Sequence, residues 1–165
     1  MSDAQSLLEL IPRLRRYARA LVGERAAADD LVQDTLERAW SKLHLYRRGT
    51  DLRAWLFTVM HNVHVNRLRA ARPADPLEDE MPELAQRATQ GDALLVRDLE
   101  RAVAALPEGQ RQVLLLVALE DLSYEETARV LEIPIGTVMS RLARAREKVR
   151  QLMHGKVGTK LQVVK

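Results

Sequence analysis

The sequence predicts an all-α protein: two small helical domains joined by a flexible acidic linker, the second ending in a helix-turn-helix. Three observations predict it. Apolar residues recur at three- and four-residue spacing along most of the 165 residues, and no segment alternates apolar with polar as a strand would. A block with three prolines and a glycine interrupts that period over 73–92. Near the C-terminus a capping-box serine, a Pro- and Gly-containing turn and a basic amphipathic stretch follow in succession.

Composition narrows the function classes. Apolar residues make up 47% and charged residues 30%, the balance of a soluble globular protein. No window approaches the roughly 18 consecutive apolar residues of a spanning helix, and the N-terminus lacks a signal peptide's basic start and apolar core, so a cytoplasmic protein with no membrane insertion is expected. With no cysteine there is no disulfide, no thiolate nucleophile and no cysteine-ligated zinc. The net charge of +3 hides an asymmetry. Residues 1–72 carry 13 Lys/Arg against 8 Asp/Glu, residues 73–92 carry 1 against 6, and residues 93–165 carry 12 against 9. Two basic blocks flank an acidic one, which suits two nucleic-acid-facing domains on a tether.

A first helix is expected from near Leu7 to Leu21 and Val22, where Gly23 breaks it. A second begins at "ERAAADDLVQDTLERAWSKLHL", with Val32, Leu36, Ala39 and Leu43 as its apolar stripe and Trp40 beside them as a core anchor. Asp30, Gln33 and Asp34, at i, i+3 and i+4, form a separate acceptor surface fit for a basic partner helix; Asp29 and Asp30 would equally favour the positive end of the helix dipole. After a loop with Arg47, Arg48 and Gly49, a third helix starts at a Thr50 or Asp51 cap and buries Leu52, Trp55, Leu56, Val59, Met60 and Val63. Its later turns carry Asn62, Asn66 and Arg69 at i, i+4 and i+7, with Arg67 nearby, a polar and basic surface suited to nucleic acid. His61 and His64 stand at a spacing that could share a metal, but no third ligand accompanies them; surface or DNA-proximal histidines are the expectation.

Beyond the linker, "DALLVRDLERAVAAL" places Leu95, Leu99, Ala102 and Leu106 on one face, Pro107 and Gly109 mark a turn, and "GQRQVLLLVALEDL" reads as a buried helix. Ser123 with Glu126 makes a capping box, followed by Thr127, Ala128, Leu131 and Ile133 at core spacing. Pro134 stops that helix, Gly136 permits a sharp turn, and Thr137 caps a last helix whose stripe is Val138, Leu142, Ala145, Val149 and Leu152. Thr137, Ser140, Arg141 and Arg144 form its hydroxyl and guanidinium side, at the end that enters the major groove in a helix-turn-helix. Residues 154–165, with two glycines and three lysines, read as a frayed basic tail.

Taken together, "DDLVQDTLERAW", "DLRAWLFTVMHNVHVNRLRAAR" and "LSYEETARVLEIPIGTVMSRLARARE" make the chain resemble, over nearly its whole length, the extracytoplasmic-function (ECF) sigma factors, group IV of the sigma-70 family. The resemblance implies a non-enzymatic promoter-specificity subunit that binds core RNA polymerase through the beta-prime clamp helices and the beta flap, without a cofactor or metal. Residues 1–72 would be sigma region 2, 93–153 region 4. It implies that Asp30, Gln33 and Asp34 contact the clamp, that Asn62 takes an unstacked base of the minus 10 element, and that Asn66, Arg67 and Arg69 hold the separated strand or its duplex edge. Thr137, Ser140, Arg141 and Arg144 would meet the minus 35 DNA. Met139 stands where several relatives have an arginine, which would replace a hydrogen bond by apolar contact at one promoter position. The segment "GTDLRAWLFT" and the acidic linker look most like stress-response groups, relatives of the alphaproteobacterial general-stress factor among them. Members of the family are commonly restrained by an anti-sigma partner and join the nucleoid within holoenzyme.

A one-domain regulator of the LuxR type would share the helix-turn-helix but leave the N-terminal motifs unexplained, and a helical-bundle enzyme would need a catalytic or metal constellation that the residues do not supply. The acidic block cannot bury much surface, so limited proteolysis is expected to cut first between Pro73 and Asp92 and to leave two stable fragments. A full-length chain that resists cleavage would instead mean a closed, packed pair of domains.

Overall fold

The computed structural model describes residues 2–71 and 92–163, with side chains for 2–71 and 94–154. Of the linker expected over 73–92, only Asp92 falls among the described residues. The first unit holds α1 (Asp3–Val22), α2 (Arg25–Ser41), a 3-10 turn at Leu43–Leu45, and α3 (Leu52–Ala70). The second holds α4 (Asp92–Ala104), α5 (Glu108–Leu114) running into a π turn at Leu115–Leu119, α6 (Tyr124–Leu131) and α7 (Ile135–Val163). No strand occurs among the described residues.

Helix α1 starts four residues before Leu7, because the Ser2 side chain accepts the Gln5 amide at 3.3 Å and Asp3 adds negative charge at the first turn. Gly23 ends it at φ 74, a left-handed conformation that costs a glycine little. Leu7, Leu14, Tyr17, Ala18 and Leu21 are buried where α1 packs on its neighbours, α2 above all, and the Tyr17 ring meets Phe57 edge-on with centroids 5.1 Å apart. On α2 the expected stripe is inward, Val32 and Ala39 buried with Leu36 and Leu43 packed against the core. Trp40 is not a core anchor: it is 63% exposed. Successive helical residues point about 100° apart, and with Ala39 fully buried its neighbour is turned to solvent. Asp51, rather than Thr50, caps α3 by accepting the Arg53 amide at 3.0 Å. Trp55 is half-buried against the core and Tyr46.

In the second unit α4 buries Ala102, and Leu106 is buried in the turn after it, whereas Leu95 and Leu99 are 46% and 45% exposed, so the expected apolar face is covered only toward its C-terminal end. The apolar segment after Pro107 is buried as expected, but it is not one uniform helix. Its last turn widens, with the Glu120 amide reaching back five residues to Leu115 at 3.1 Å. The extra residue in that turn rotates Glu120 inward, and Asp121 takes a left-handed φ of 56 to leave it.

The capping box of α6 forms in both directions, Glu126 N–H to Ser123 Oγ at 3.0 Å and Ser123 N–H to Glu126 Oε1 at 3.2 Å. The sharp turn that follows falls on Glu132, at φ 54, and not on Gly136. Nor does Thr137 cap α7. The Pro134 carbonyl already accepts the Thr137 and Val138 amides at 3.0 and 3.2 Å, so the helix has begun before Gly136 and Thr137 lies in its first turn. Val138, Leu142 and Ala145 are buried, Val149 is half-buried and Leu152 is 40% exposed. Helix α7 then continues to Val163, so 154–163 is helical rather than a frayed tail; two glycines lower helix stability by about 1 kcal/mol each without a proline to break the ladder.

The two units are not held by the chain alone. Helix α3 packs on α6, and α1 packs on α4 and the π turn, which makes one continuous apolar core from Leu7 to Leu142. Polar groups seal its edges. Arg16 Nε and Nη2 donate to Glu120 Oε1 at 3.2 and 3.1 Å, Arg53 Nη1 to the Glu120 carbonyl at 3.2 Å, and Arg111 Nη1 to the Leu21 carbonyl at 3.1 Å. His64, buried, meets Glu108 at 2.6 Å.

Two carboxyls of this seam titrate in opposite senses. Burial works against the charge of Glu108, but His64, Arg111 and Gln112 together outweigh it and hold the carboxyl below the usual range. Burial raises Glu120, and Arg16, Arg13 and Arg53 only partly offset it. A depressed carboxyl stabilises the fold above its unfolded pKa, and that contribution is lost as pH falls through the folded value. A raised one contributes at low pH and loses that contribution as pH rises through its folded value. Urea unfolding across the acid range is therefore expected to lose stability less steeply in Glu108→Gln than in the parent and more steeply in Glu120→Gln; indistinguishable slopes would place both carboxyls in solvent. The fragments from cleavage between 73 and 91 are likewise expected to co-elute on gel filtration.

Candidate nucleic-acid interface

Three surfaces carry the residues that the sequence marks out. On α3, Asn62, Asn66 and Arg69 are exposed and share one face by their spacing, opposite Met60 and Val63, which are buried. Arg67 does not join them. It follows Met60 and Val63 at i+7 and i+4 and so projects toward α2, where Nη2 pairs with Asp30 Oδ2 at 3.0 Å and with Asp34 Oδ2, and donates to the Asp30 carbonyl at 3.2 Å. The acidic surface on α2 is thus Gln33, exposed, beside two carboxylates that share one guanidinium.

On α7 the expected quartet splits in two. Ser140 and Arg144 are exposed, and Ser140 Oγ donates to the Thr137 carbonyl at 3.2 Å. Thr137 and Arg141 are half-buried. The Arg141 guanidinium lies across the backbone of Gly109 at the start of α5, so close that a Cβ there would stand 2.9 Å from Nη1. Glycine at 109 therefore makes room for the arginine. Met139 is 53% exposed beside this face.

His61 and His64 are not exposed surface histidines. His64 points into the seam with Glu108, and His61 is half-buried one turn away, its imidazole held below the usual range by burial and by His64. Among the described residues no group of three His, Asp or Glu side chains converges as metal ligands would. An open cleft of about 530 Å³ runs between the start of α3 and α6, lined by Thr50, Asp51, Trp55, Glu126 and Arg129. Arg16, Arg53, Glu108, Arg111 and Glu120, which build the seam, carry no local signal: each is an ordinary charged residue on an amphipathic helix until its distant partner is known.

Two family models match the chain, the Sigma2 domain of PhyR over residues 7–61 and Sigma-70, region 4 over residues 97–149. The ECF RNA polymerase sigma factor EcfG of Rhodopseudomonas palustris is 35% identical over 90% of this chain and 83% of its own. SigM of Mycobacterium tuberculosis, also an ECF RNA polymerase sigma factor, is 34% identical over 86% and 71%. Among solved structures, the sigma factor RpoE of Bartonella quintana in complex with the anti-sigma factor NepR superposes with a TM-score of 0.75 at 31% identity, over 92% of this chain and 96% of that one. CnrH, in complex with the cytosolic domain of CnrY, gives 0.68 at 27% identity over 92% and 87%.

The split on α7 has a measurable consequence. Arg141→Ala is expected to destabilise the protein by about 1 kcal/mol through lost contact of its stem and guanidinium with α5, while Arg144→Ala stays within about 0.5 kcal/mol of the parent. Equal urea midpoints for the two variants would mean that Arg141 is as free as Arg144.

Proposed function

Because the chain belongs to the ECF RNA polymerase sigma factors, which bind core RNA polymerase and direct it to promoters, we propose that its exposed polar surfaces divide that task among them. The observation that carries this reading is the order of the two matched domains, Sigma2 then region 4, on a chain whose polar clusters stay exposed while the units pack together. Residues 1–72 act as region 2 and residues 93–153 as region 4. Asp30, Gln33 and Asp34 present acceptors to the beta-prime clamp helices, and the second unit also meets the beta flap. Asn62 offers a carboxamide that donates and accepts, as reading the edge of an unstacked base requires. Asn66, Arg67 and Arg69 follow the strand. Ser140 and Arg144 enter the minus 35 major groove, with Thr137 and Arg141 at its edge and Met139 in apolar contact.

Such reading requires the seam to open. Elements near minus 35 and minus 10 lie roughly 25 base pairs apart, about 85 Å of B-DNA, whereas a compact chain of this length has a radius of gyration of about 15 Å. The docked pair cannot reach both. The covalent link from Ala71 to Asp92 extends to at most about 70 Å, enough, with the domains' own width, to cover that span. RpoE of B. quintana and CnrH are seen with an anti-sigma factor or a partner's cytosolic domain, which supports an anti-sigma partner for this chain. A stress-response role, which the segment "GTDLRAWLFT" and the acidic linker imply by resemblance, is part of the same reading. Action is cytoplasmic, with nucleoid association in holoenzyme, and no helix among the described residues is long and apolar enough to cross a membrane.

Asn62 supplies the test. Asn62→Ala is expected to keep core binding and minus 35 recognition but to lower open-complex formation about tenfold, the worth of one or two hydrogen bonds to a base. A template already unpaired around minus 10 rescues only the melting part. Permanganate footprinting on linear duplex reads this as weaker thymine reactivity; reactivity equal to the parent's would reduce Asn62 to a solvated helix residue.

A further inference from the structure

The Arg67 guanidinium stands where two of the assigned surfaces meet. It leaves α3 one residue after Asn66 and two before Arg69, yet it ends on the carboxylates of Asp30 and Asp34. All its hydrogen bonds run through Nη2, so among the described residues Nε and Nη1, with three of the five N–H donors, bond to nothing. The group is not locked in: the Arg67 side chain is 32% exposed, Asp34 42% and Asp30 67%. An ion pair this open to water is exchangeable.

We propose that Arg67 is a toggle between polymerase docking and promoter-strand binding. In the free protein it neutralises Asp30 and Asp34; when a cationic surface takes those carboxylates, the guanidinium is released to a phosphate of the separated strand. This rests on the reading of Asp30 and Asp34 as the docking surface. The physics is competition. Two carboxylates bound to an incoming cation repel a second cation from the same site. A guanidinium matches phosphate geometry with two parallel donors, and swinging the stem by its side-chain torsions brings it to the Asn66 and Arg69 side without moving α3. Linkage then makes the coupling reciprocal: docking raises strand affinity by the same factor by which strand binding raises docking.

The test uses the full chain. Fluorescence anisotropy with an oligothymidylate reads phosphate contacts independently of sequence. Asp34→Asn is expected to bind it about threefold tighter, the worth of an exposed ion pair, with a log–log salt slope steeper by about 0.7, one added phosphate on a single strand. Asp29→Asn makes the same charge change without touching Arg67 and should leave the slope unchanged. Arg67→Gln, which keeps most of the stem, should erase the gain in the double variant. A gain equal to that of Asp29→Asn, or one that survives Arg67→Gln, overturns the toggle. Core-enzyme titration separates the two readings. Arg67→Gln alone is expected to bind core about threefold tighter, because the carboxylates are freed. If it binds more weakly, Arg67 merely positions the carboxylates and the toggle is wrong. Loss of core affinity in Asp34→Asn with no gain on DNA also overturns the toggle but keeps the docking surface. A gain on DNA with unchanged core affinity removes the docking surface, and the coupling with it.

Discussion

Arg111 is the group on which the arrangement of the helices depends. Its guanidinium donates to the carbonyls of Val103, Ala104 and Leu106 at 3.2, 2.9 and 2.8 Å, to Leu21 at 3.1 Å and to Glu108 Oε2 at 3.0 Å. Those of Leu21, Val103 and Ala104 lie in the last turns of α1 and α4, where carbonyls lack an intrahelical partner and the helix dipole leaves negative charge, and Leu106 follows in the turn after α4. One planar cation with five donors therefore closes two helix ends, holds the turn into α5 and joins the two units. A lysine, with three donors on one nitrogen, could not reach the same set. Glu108 extends the junction to α3, accepting from Arg111 and Gln112 while it faces His64.

The rest of the seam is a compromise between holding and releasing. Its centre is apolar, with Leu56, Phe57, Leu116 and Val130 buried, and its rim is charged. Glu120 shows the tension: Arg16 bonds one carboxyl oxygen, the other is buried with no partner among the described residues, and burial raises the carboxyl toward its neutral form. A buried charge so incompletely satisfied adds little net stability, which suits the opening that the proposed function requires. The docked state leaves Asn62, Asn66, Arg69, Ser140 and Arg144 in solvent, so closure does not act by covering them. On the proposed function closure acts by distance, since two domains in contact cannot lie on two separated DNA elements.

Arg67 and Arg141 belong to the same account. Each sits on a helix chosen by pattern for nucleic acid, and each is drawn aside by a protein partner, Arg67 by Asp30 and Asp34 and Arg141 by the Gly109 backbone. Arginine's long stem makes this possible, because its charged end lies far from its own Cα: that of Arg67 reaches two carboxylates, and that of Arg141 packs against the Gly109 backbone.

What the sequence determined by itself was everything that depends on near neighbours in the chain. The Ser123–Glu126 capping box, the Gly23 stop, a cap at Thr50 or Asp51, the inward stripes of α2 and α3 and the shared face of Asn62, Asn66 and Arg69 follow from spacing and local hydrogen bonding, whose energetics are complete within a turn or two. The motif order that marks the family is legible for the same reason. The tertiary structure alone decided where a side chain goes once several directions are locally equivalent. It turned Trp40 outward and His64 inward, gave Arg67 to α2, put the tight turn on Glu132 rather than Gly136, and set Arg111 across two helix ends. The outcomes at His64, Arg67 and Arg111 are settled by partners far away in the sequence, at a distance that no local period encodes. The same holds for the docking of the two units, which the charge pattern presents as a tether and which the paired groups at Glu108 and Glu120 convert into a closed seam.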